Sequence, residues 1–431
     1  MKRALAALIF IAPWLVLAAP PRAESSAQSR AKAATEKKRA ATPTRASPVA
    51  KRVASQAKRR DGRDGQAEAR LIEIYKFIGQ GSSREALRRA EDLVRDHPNF
   101  QLAQLVYGDL LAGRTRAIRA LGDVPDSAAS NAGPLLAELR QESQQRLRAL
   151  RERPAPGMVP SPFLTLAPAI EHAIAVDTSR SRLYLFENTT AGLKLVADYY
   201  ISVGKLGIEK SVEGDLRTPL GVYFITSNLD PKSLDDFYGS GALPINYPNR
   251  LDLKRGKTGG GIWLHGSPSA QFSRAPLSTE GCVALANTDL ERIIKTVQIG
   301  STPVVIAQSL KWVAPQSLKA DAQSFDAVLQ DWQRAKSSGD MARLAAWYTP
   351  DFSSFGKTLA EWTPALQGEV QRLGKRELQL KDVSYMRWTD STDTMVVTFG
   401  ELVKGAKTGL TKRQYWTRQG SQWKIFFEGV I

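Results

Sequence analysis

The chain has 431 residues, 42% of them hydrophobic, and a formal net charge of +17. That length calls for several domains, and the single cysteine excludes an internal disulfide framework. No zinc-ligand spacing, phosphate-binding loop or dinucleotide fingerprint occurs, which removes the commonest metal and nucleotide enzymes.

The N-terminus reads MKRALAALIFIAPWLVLAAPPRAESS. Lys2 and Arg3 make a basic n-region, Ala4 to Leu17 an apolar h-region, and small residues follow near Ala19 and Ala23. This is the pattern of a secretory signal peptide over residues 1–23. The alternative is a retained anchor, but the run is short of the roughly 20 residues a span needs, and Pro13 interrupts it. The expected location is the periplasm, with no nucleic acid as partner. Residues 24–66 carry twelve basic and four acidic side chains, a net +8, and almost no large apolar residue. Such a stretch cannot bury enough surface to offset chain entropy and is expected to be a disordered linker. It is either a solvated tether or an attractor for an anionic polymer or membrane surface.

Residues 67–153 carry a helical period. In SSREALRRAEDLVRDHPNF, Ser82 with Glu85 forms a capping-box pattern, Ala86, Leu87, Ala90, Leu93 and Val94 share one face, and Pro98 ends the run. Leu102, Leu105, Val106 and Leu110 make the next stripe, and GPLLAELRQESQQRLRALRERP a further amphipathic helix. The helix–turn–helix spacing resembles roughly one tetratricopeptide-type repeat. This region is either a docking surface for a protein partner or a spacer.

Over residues 163–308 the period changes to that of strands. AIAVDTSRSRLYLFEN reads as two strands about a turn, LKLVADYYISVG, GVYFITSN and STPVVIA as further strands, and GIWLHGSP as a strand running into a turn. NTDLERIIKTVQIG is a helix with Asn287 or Thr288 as N-cap. Residues 320–431 open with helices in SFDAVLQDWQRAKSSGDMARLAAWYTPDF. Four antiparallel strands close the chain, RELQLKDVSYMRW, DTMVVTFGELVKG, TKRQYWTRQG and SQWKIFFEGVI, the last with Trp423, Ile425 and Phe427 alternating on one face. Helices followed by a curved meander resemble the cone-shaped nuclear-transport-factor-like fold, which implies an α+β binding or dimerisation module with a hydrophobic pocket. The breaks in pattern near 154–162 and 309–320 predict separable domains, so a fragment of residues 163–310 is expected to fold.

The lone Cys282 is either a buried spectator, a partner for another chain, or a reactive thiol. A free thiol needs a base close by, because the thiolate is the nucleophile. Of the three histidines, His97 precedes a helix-breaking proline, His172 enters a strand, and His265 ends the strand GIWL, 17 residues before Cys282. The segment GSPSAQFSRAPLSTEG is long and turn-rich enough to bring His265 and Cys282 together.

HGSP…STEGCVALAN resembles the signature of the L,D-transpeptidase (YkuD-type) catalytic domain, and GDLRTPLGVYFI resembles its Thr-Pro-x-Gly hairpin at Thr218, Pro219 and Gly221. The resemblance implies a mainly β domain with Cys282 as nucleophile, His265 as base, the Gly266 carbonyl fixing the imidazole, and the N–H groups of Gly281 and Cys282 as oxyanion hole. It implies substrate contacts at Thr279, Glu280, Asn287 and Arg274, and neither metal nor organic cofactor. Two positions depart from the family: Glu280 stands where histidine is frequent, and Ala284 where an arginine is often found. Arg274, Arg217 and Lys257 are the cations that could replace that arginine. The implied reaction releases D-alanine from a peptidoglycan tetrapeptide stem and passes the acyl group to a stem amine or an outer-membrane protein lysine. Water as acceptor would make the chain an amidase or hydrolase, and loss of chemistry a wall-binding scaffold.

Overall fold

The computed structural model describes residues 65–124 and 126–431. The expected signal peptide and nearly all of the basic linker lie outside these residues.

Four helices come first: α1 (Gln66–Gly79), α2 (Ser83–Asp96), α3 (Gln101–Ala112) and α4 (Asp126–Arg151). Ala86, Ala90, Leu93, Leu102 and Val106 are fully buried among them, as the helical period requires. The capping box does not form. Ser82 is the N-cap residue but makes no side-chain cap, and the Glu85 carboxylate, the other half of the box, turns to Arg88 and Arg89.

A nine-stranded sheet follows, built from β2 (His172–Asp177), β3 (Arg182–Thr189), β4 (Gly192–Gly204), β5 (Gly221–Phe224), β6 (Ala242–Pro244), β7 (Trp263–His265), β8 (Leu277–Thr279), β9 (Val283–Leu285) and β10 (Pro303–Ala307). Its order is β5-β10-β2-β3-β4-β9-β7-β6, with β8 alongside β4. The helices α5 (Arg250–Lys254) and α6 (Asn287–Ile294) accompany it. The strands are apolar on both faces. Ile174, Val176, Leu183, Leu185, Val304 and Ile306 point into one core, and their neighbours Ala173, Ala175, Tyr184, Phe186, Val305 and Ala307 into another. Period-two alternation between two buried faces explains the nearly continuous hydrophobic runs.

The second core belongs to two domains at once. The C-terminal sheet runs β14 (Gln422–Val430), β13 (Leu410–Gln419), β12 (Asp393–Val403), β11 (Leu378–Thr389) and β1 (Phe163–Thr165). Met386, Trp388, Val396, Tyr415, Phe426 and Phe427 from this sheet pack against the central one. Bidentate hydrogen bonds from Arg255 to Asp390, at 2.6 and 2.7 Å, add to the contact. The separable fragment of 163–310 is therefore not what the structure shows. Its first strand is an edge of the C-terminal sheet, and cutting at 310 would expose an aromatic face.

The inner face of the C-terminal sheet is closed by α7 (Pro315–Ser338), α8 (Met341–Ala345) and α9 (Leu359–Leu373). Trp423 and Ile425 face these helices, but Phe427 does not. A register shift between Tyr415 and Trp416 pairs them with Phe427 and Ile425, so Phe426 is an extra residue. The bulge sends Phe427 to the opposite face. The cone's interior is an aromatic and aliphatic core that includes Phe325, Trp332, Phe399 and Trp416. A cavity of about 370 Å³ opens beside Val328, Trp347 and Trp423, and a buried polar network lies within the same domain. Lys336 and Lys412 lie among Glu369, Glu401 and Glu428 at 2.6 to 3.2 Å.

Candidate active site

The fold brings His265 and Cys282 to the ends of adjacent strands. Strands β7 and β9 pair in parallel, with Leu264 opposite Val283 and His265 opposite Ala284. The 16-residue connection returns the chain because it is clamped to the helices. Asn99 donates to Ser269 O at 3.0 Å and accepts from Phe272 N at 3.0 Å. Phe272 stacks on Phe100, with centroids 4.3 Å apart, and Ser273 Oγ donates to the Glu142 carboxylate at 2.7 Å. A buried ion network fixes the helices to the sheet. Arg182 on β3 reaches Glu68 of α1 at 2.7 Å and Asp198 of β4 at 2.5 Å, and Arg146 of α4 reaches Glu68 at 2.9 Å. Burial alone would raise the Glu68 carboxyl, yet the two guanidiniums hold it at about 2.

His265 is fully buried, and its Nδ1 lies 2.7 Å from the Gly266 carbonyl. A carbonyl oxygen only accepts, so the neutral ring carries its proton on Nδ1 and its lone pair on Nε2. Nε2 is buried without a hydrogen-bond partner. Phe237 and Tyr238 enclose the ring at centroid distances of 5.7 and 5.2 Å, and Trp263 packs on Tyr238 at 4.8 Å. Burial drives the imidazole pKa down to about 4, against the pull of the Gly266 hydrogen bond. Half-buried Cys282 receives a hydrogen bond from Trp263 N and donates one to Gly261 O, both at 3.4 Å. Burial lifts its thiol to about 11, opposed by the Trp263 N–H and by Arg274. The resting pair is therefore neutral, thiol beside imidazole.

Around this pair several expected roles change. Gly281 has φ of +127°, and a Cβ there would lie 2.7 Å from Arg217 O, so only glycine fits. Its N–H, expected to face an oxyanion, donates to Thr279 Oγ1 at 3.1 Å. Thr279 is buried and its hydroxyl donates to Cys282 O at 2.7 Å. It shapes the cysteine loop from within. Asn287 is likewise a brace. Its Oδ1 accepts from Ser240 N and Ser267 N at 3.0 Å, and its Nδ2 donates to Ser267 O at 2.9 Å. It is also not the helix N-cap, which is Ala286 without a side-chain cap. Gly266 fits because any Cβ would strike the same Asn287 oxygen. Glu280 is exposed on the rim, 3.8 Å from Lys205.

The three candidate cations separate cleanly. Lys257 is paired with Asp252 at 2.8 Å, and exposed Arg217 donates to Ile208 O at 2.9 Å. Arg274 alone of the three influences both His265 and Cys282. Its guanidinium sits 4.6 Å from the Phe237 ring centroid. Ala284, at the family's arginine position, is buried inside β9, where a guanidinium would find no water. The aromatic enclosure was not foreseen, although DFYGSG was its sequence signal. Nor was the clamp made by Thr218, whose buried hydroxyl donates to Gly281 O and accepts from Gly204 N, both at 2.9 Å.

The site thus sits in a mainly β domain that is followed by an α+β cone. Residues 171–306 match the family model of the L,D-transpeptidase catalytic domain, YkuD, and residues 324–429 that of the Cds6 C-terminal NTF2-like domain. The chain thus carries an L,D-transpeptidase catalytic domain followed by an NTF2-like one. Among solved structures it is similar to Bd1075 of Bdellovibrio bacteriovorus, with 23% identity, TM-score 0.54, and coverage of 63% of this chain and 98% of that one. It is also similar to the helical cell shape determining protein Pgp2 from Campylobacter jejuni, with 23% identity, TM-score 0.50, and coverage of 67% and 99%. At that identity the likeness shows the fold. No curated protein matches the chain.

Proposed function

We propose that this protein is an exported peptidoglycan L,D-transpeptidase in which Cys282 is the nucleophile and His265 the general base. The observation that carries the reading is the buried, unpartnered Nε2 of His265 on the strand beside Cys282. A buried lone pair without a donor is costly to leave unmade, and a neighbouring thiol is the proton source that completes it. On substrate binding Cys282 Sγ turns from Gly261 O and attacks the carbonyl before the terminal D-alanine as Nε2 takes the thiol proton. The Cys282 N–H faces the developing oxyanion. His265 then hands the proton to the leaving amine, and a thioester remains. An amine acceptor closes the cycle, with proton transfer reversed. The acceptor is a stem amine or a protein lysine, and the periplasm is the compartment that offers both.

A carbapenem, which mimics the acyl donor of this family, should add covalently to the intact protein, and Cys282→Ala should remove the adduct without unfolding the chain. An adduct that persists in the variant refutes the assignment. Incubation with purified muropeptides and mass analysis of the products identifies the acceptor.

A further inference from the structure

A cleft of about 400 Å³ opens between the helical region and the loop that leads to Cys282. Gln101 and Glu138 of the helices line one side; Lys205, Arg274 and Ser278 line the other. Glu142, also at its edge, is already neutralised by Arg146 at 2.7 Å. Arg274 is different. Its Nη2 donates to the Ser278 carbonyl at 3.1 Å and its face rests on Phe237. Both partners are uncharged, and among the described residues no carboxylate forms a salt bridge with it. Its Nη1 and the Ser278 hydroxyl are both buried without hydrogen-bond partners. Lys205 is nearly as free, exposed and 3.8 Å from Glu280.

An unmatched guanidinium held between an aromatic ring and a backbone carbonyl is suited to receive a carboxylate, which would satisfy its spare N–H in a charge-assisted bond. The same Phe237 ring packs on His265, so the cleft adjoins the reacting pair. We infer that this cleft is the leaving-group subsite, in which Arg274, assisted by Lys205, binds the α-carboxylate of the stem's terminal residue while the helical region forms the opposite wall. The inference rests on the transpeptidase reading above. In the step it serves, the Cys282 Sγ–carbon bond forms and the carbon–nitrogen bond to the terminal residue breaks. The nitrogen receives the proton held by His265, and the carboxylate leaves through the cleft with its amine. Arg274 is thus a specificity residue. The helices become part of the site, not a spacer.

The test compares two soluble stems, one ending in D-alanine and one in D-alaninamide, with thioester formation on the full-length chain read by intact mass. Wild type should acylate from the carboxylate stem roughly 10²-fold faster, since a site built to bind a charged group rejects the analogue lacking it. Arg274→Gln should bring the carboxylate stem down to the level of the amide stem and leave the amide stem within about threefold. Lys205→Gln, at an exposed position that tolerates exchange, should narrow the preference by a smaller factor, about 3- to 10-fold, and guards against misfolding of the first variant. Alkylation of Cys282 by iodoacetamide, a neutral probe, should be unchanged in Lys205→Gln and fall in Arg274→Gln, whose guanidinium favours the thiolate; that fall is common to both stems and does not alter their ratio. Equal rates for the two stems in wild type would overturn the subsite alone. Equal loss on both stems in Arg274→Gln would make Arg274 a mere loop support and overturn it too. Absence of any thioester with either stem would overturn the transpeptidase reading itself.

Discussion

The cysteine loop and the interior of the C-terminal cone both bury ionisable side chains, and they do so in opposite ways. In the cone's interior the buried lysines and glutamates have their partners. Lys412 bonds Glu369 at 2.6 Å and Glu428 at 3.2 Å, Tyr348 and Gln414 donate to Glu428 at 3.0 and 2.8 Å, and Lys336 joins Glu369 to Glu401. Burial alone would lower the Lys412 ammonium, but the carboxylates hold it far above its usual range. In the cysteine loop the buried atoms are left open: Nε2 of His265, Nη1 of Arg274, Oγ of Ser278. Closed networks specify structure, and open ones wait for a substrate. The three cone carboxylates have oxygens within 4.8 Å of one another, a spacing that would suit a metal, but two ammonium groups occupy their bonding capacity.

The largest effect expected from this contrast is at His265. His265→Ala should lower the rate of Cys282 acylation by roughly 10² to 10⁴ in the folded fraction, the range for a lost general base. It should also lower Tm, because the ring is fully buried against Phe237 and Tyr238 and its loss leaves a void. His97→Ala and His172→Ala should leave that rate where it was. Comparable damage from His172→Ala in a folded protein would shift the base to the other histidine. Lys412→Met should behave in the reverse sense. It strands buried carboxylates and should destabilise the chain by about 3–5 kcal/mol, seen as a fall in Tm. The folded fraction should acylate at the normal rate. A stable Lys412→Met protein would mean that the cone network is not closed.

How much of this was legible follows from what each residue does. Cys282 and His265 stood out because chemistry limits which side chains can serve and the chain offers one thiol and three imidazoles. The strands and helices were legible wherever their period is regular, from β2 through the meander of β11 to β14. Spacing locates Thr279 and Asn287 near the cysteine without showing which way their oxygens turn, and both turn inward to backbone groups. The bulge at Phe426 leaves no mark in an alternating string of aromatics, so Phe427 was put on the wrong face. The shared core was hidden for a related reason. Ala173 and Ala175 are as small as surface-tolerant residues, and only the facing Met386 and Trp388 explain why they are small.

The two pKa directions sharpen the contrast as a function of pH. With imidazole at about 4 and thiol at about 11, the ion pair is scarce at rest. Alkylation of Cys282 by iodoacetamide requires thiolate. Its rate should therefore climb about tenfold per pH unit from pH 7 to 9, without levelling. A plateau near pH 6 to 7 would reveal a preformed thiolate–imidazolium pair and remove the distinction between a poised neutral site and a paired structural one.

The smallest effect lies at the seam between helices and sheet, where Asp289 of α6 is buried near Glu68. Burial, reinforced by the Glu68 charge, raises its carboxyl to about 7 against the pull of Arg146. The sign follows from linkage. In the unfolded chain this aspartate ionises near pH 4, while in the folded protein it holds its proton until about pH 7. Its contribution to stability is thus intact below pH 4, is lost progressively between about 4 and 7, and stays lost above. Glu68 is the opposite case: its stabilisation is complete above the ordinary glutamate range and fades only as pH falls toward 2. Asp289→Asn removes the ionisation and keeps the shape. It should raise Tm by about 1–3 °C at pH 8, and the gain should vanish by pH 4. A lower Tm at pH 8 would show that the ionised carboxylate is paired after all, and the seam would then belong with the closed networks of the cone.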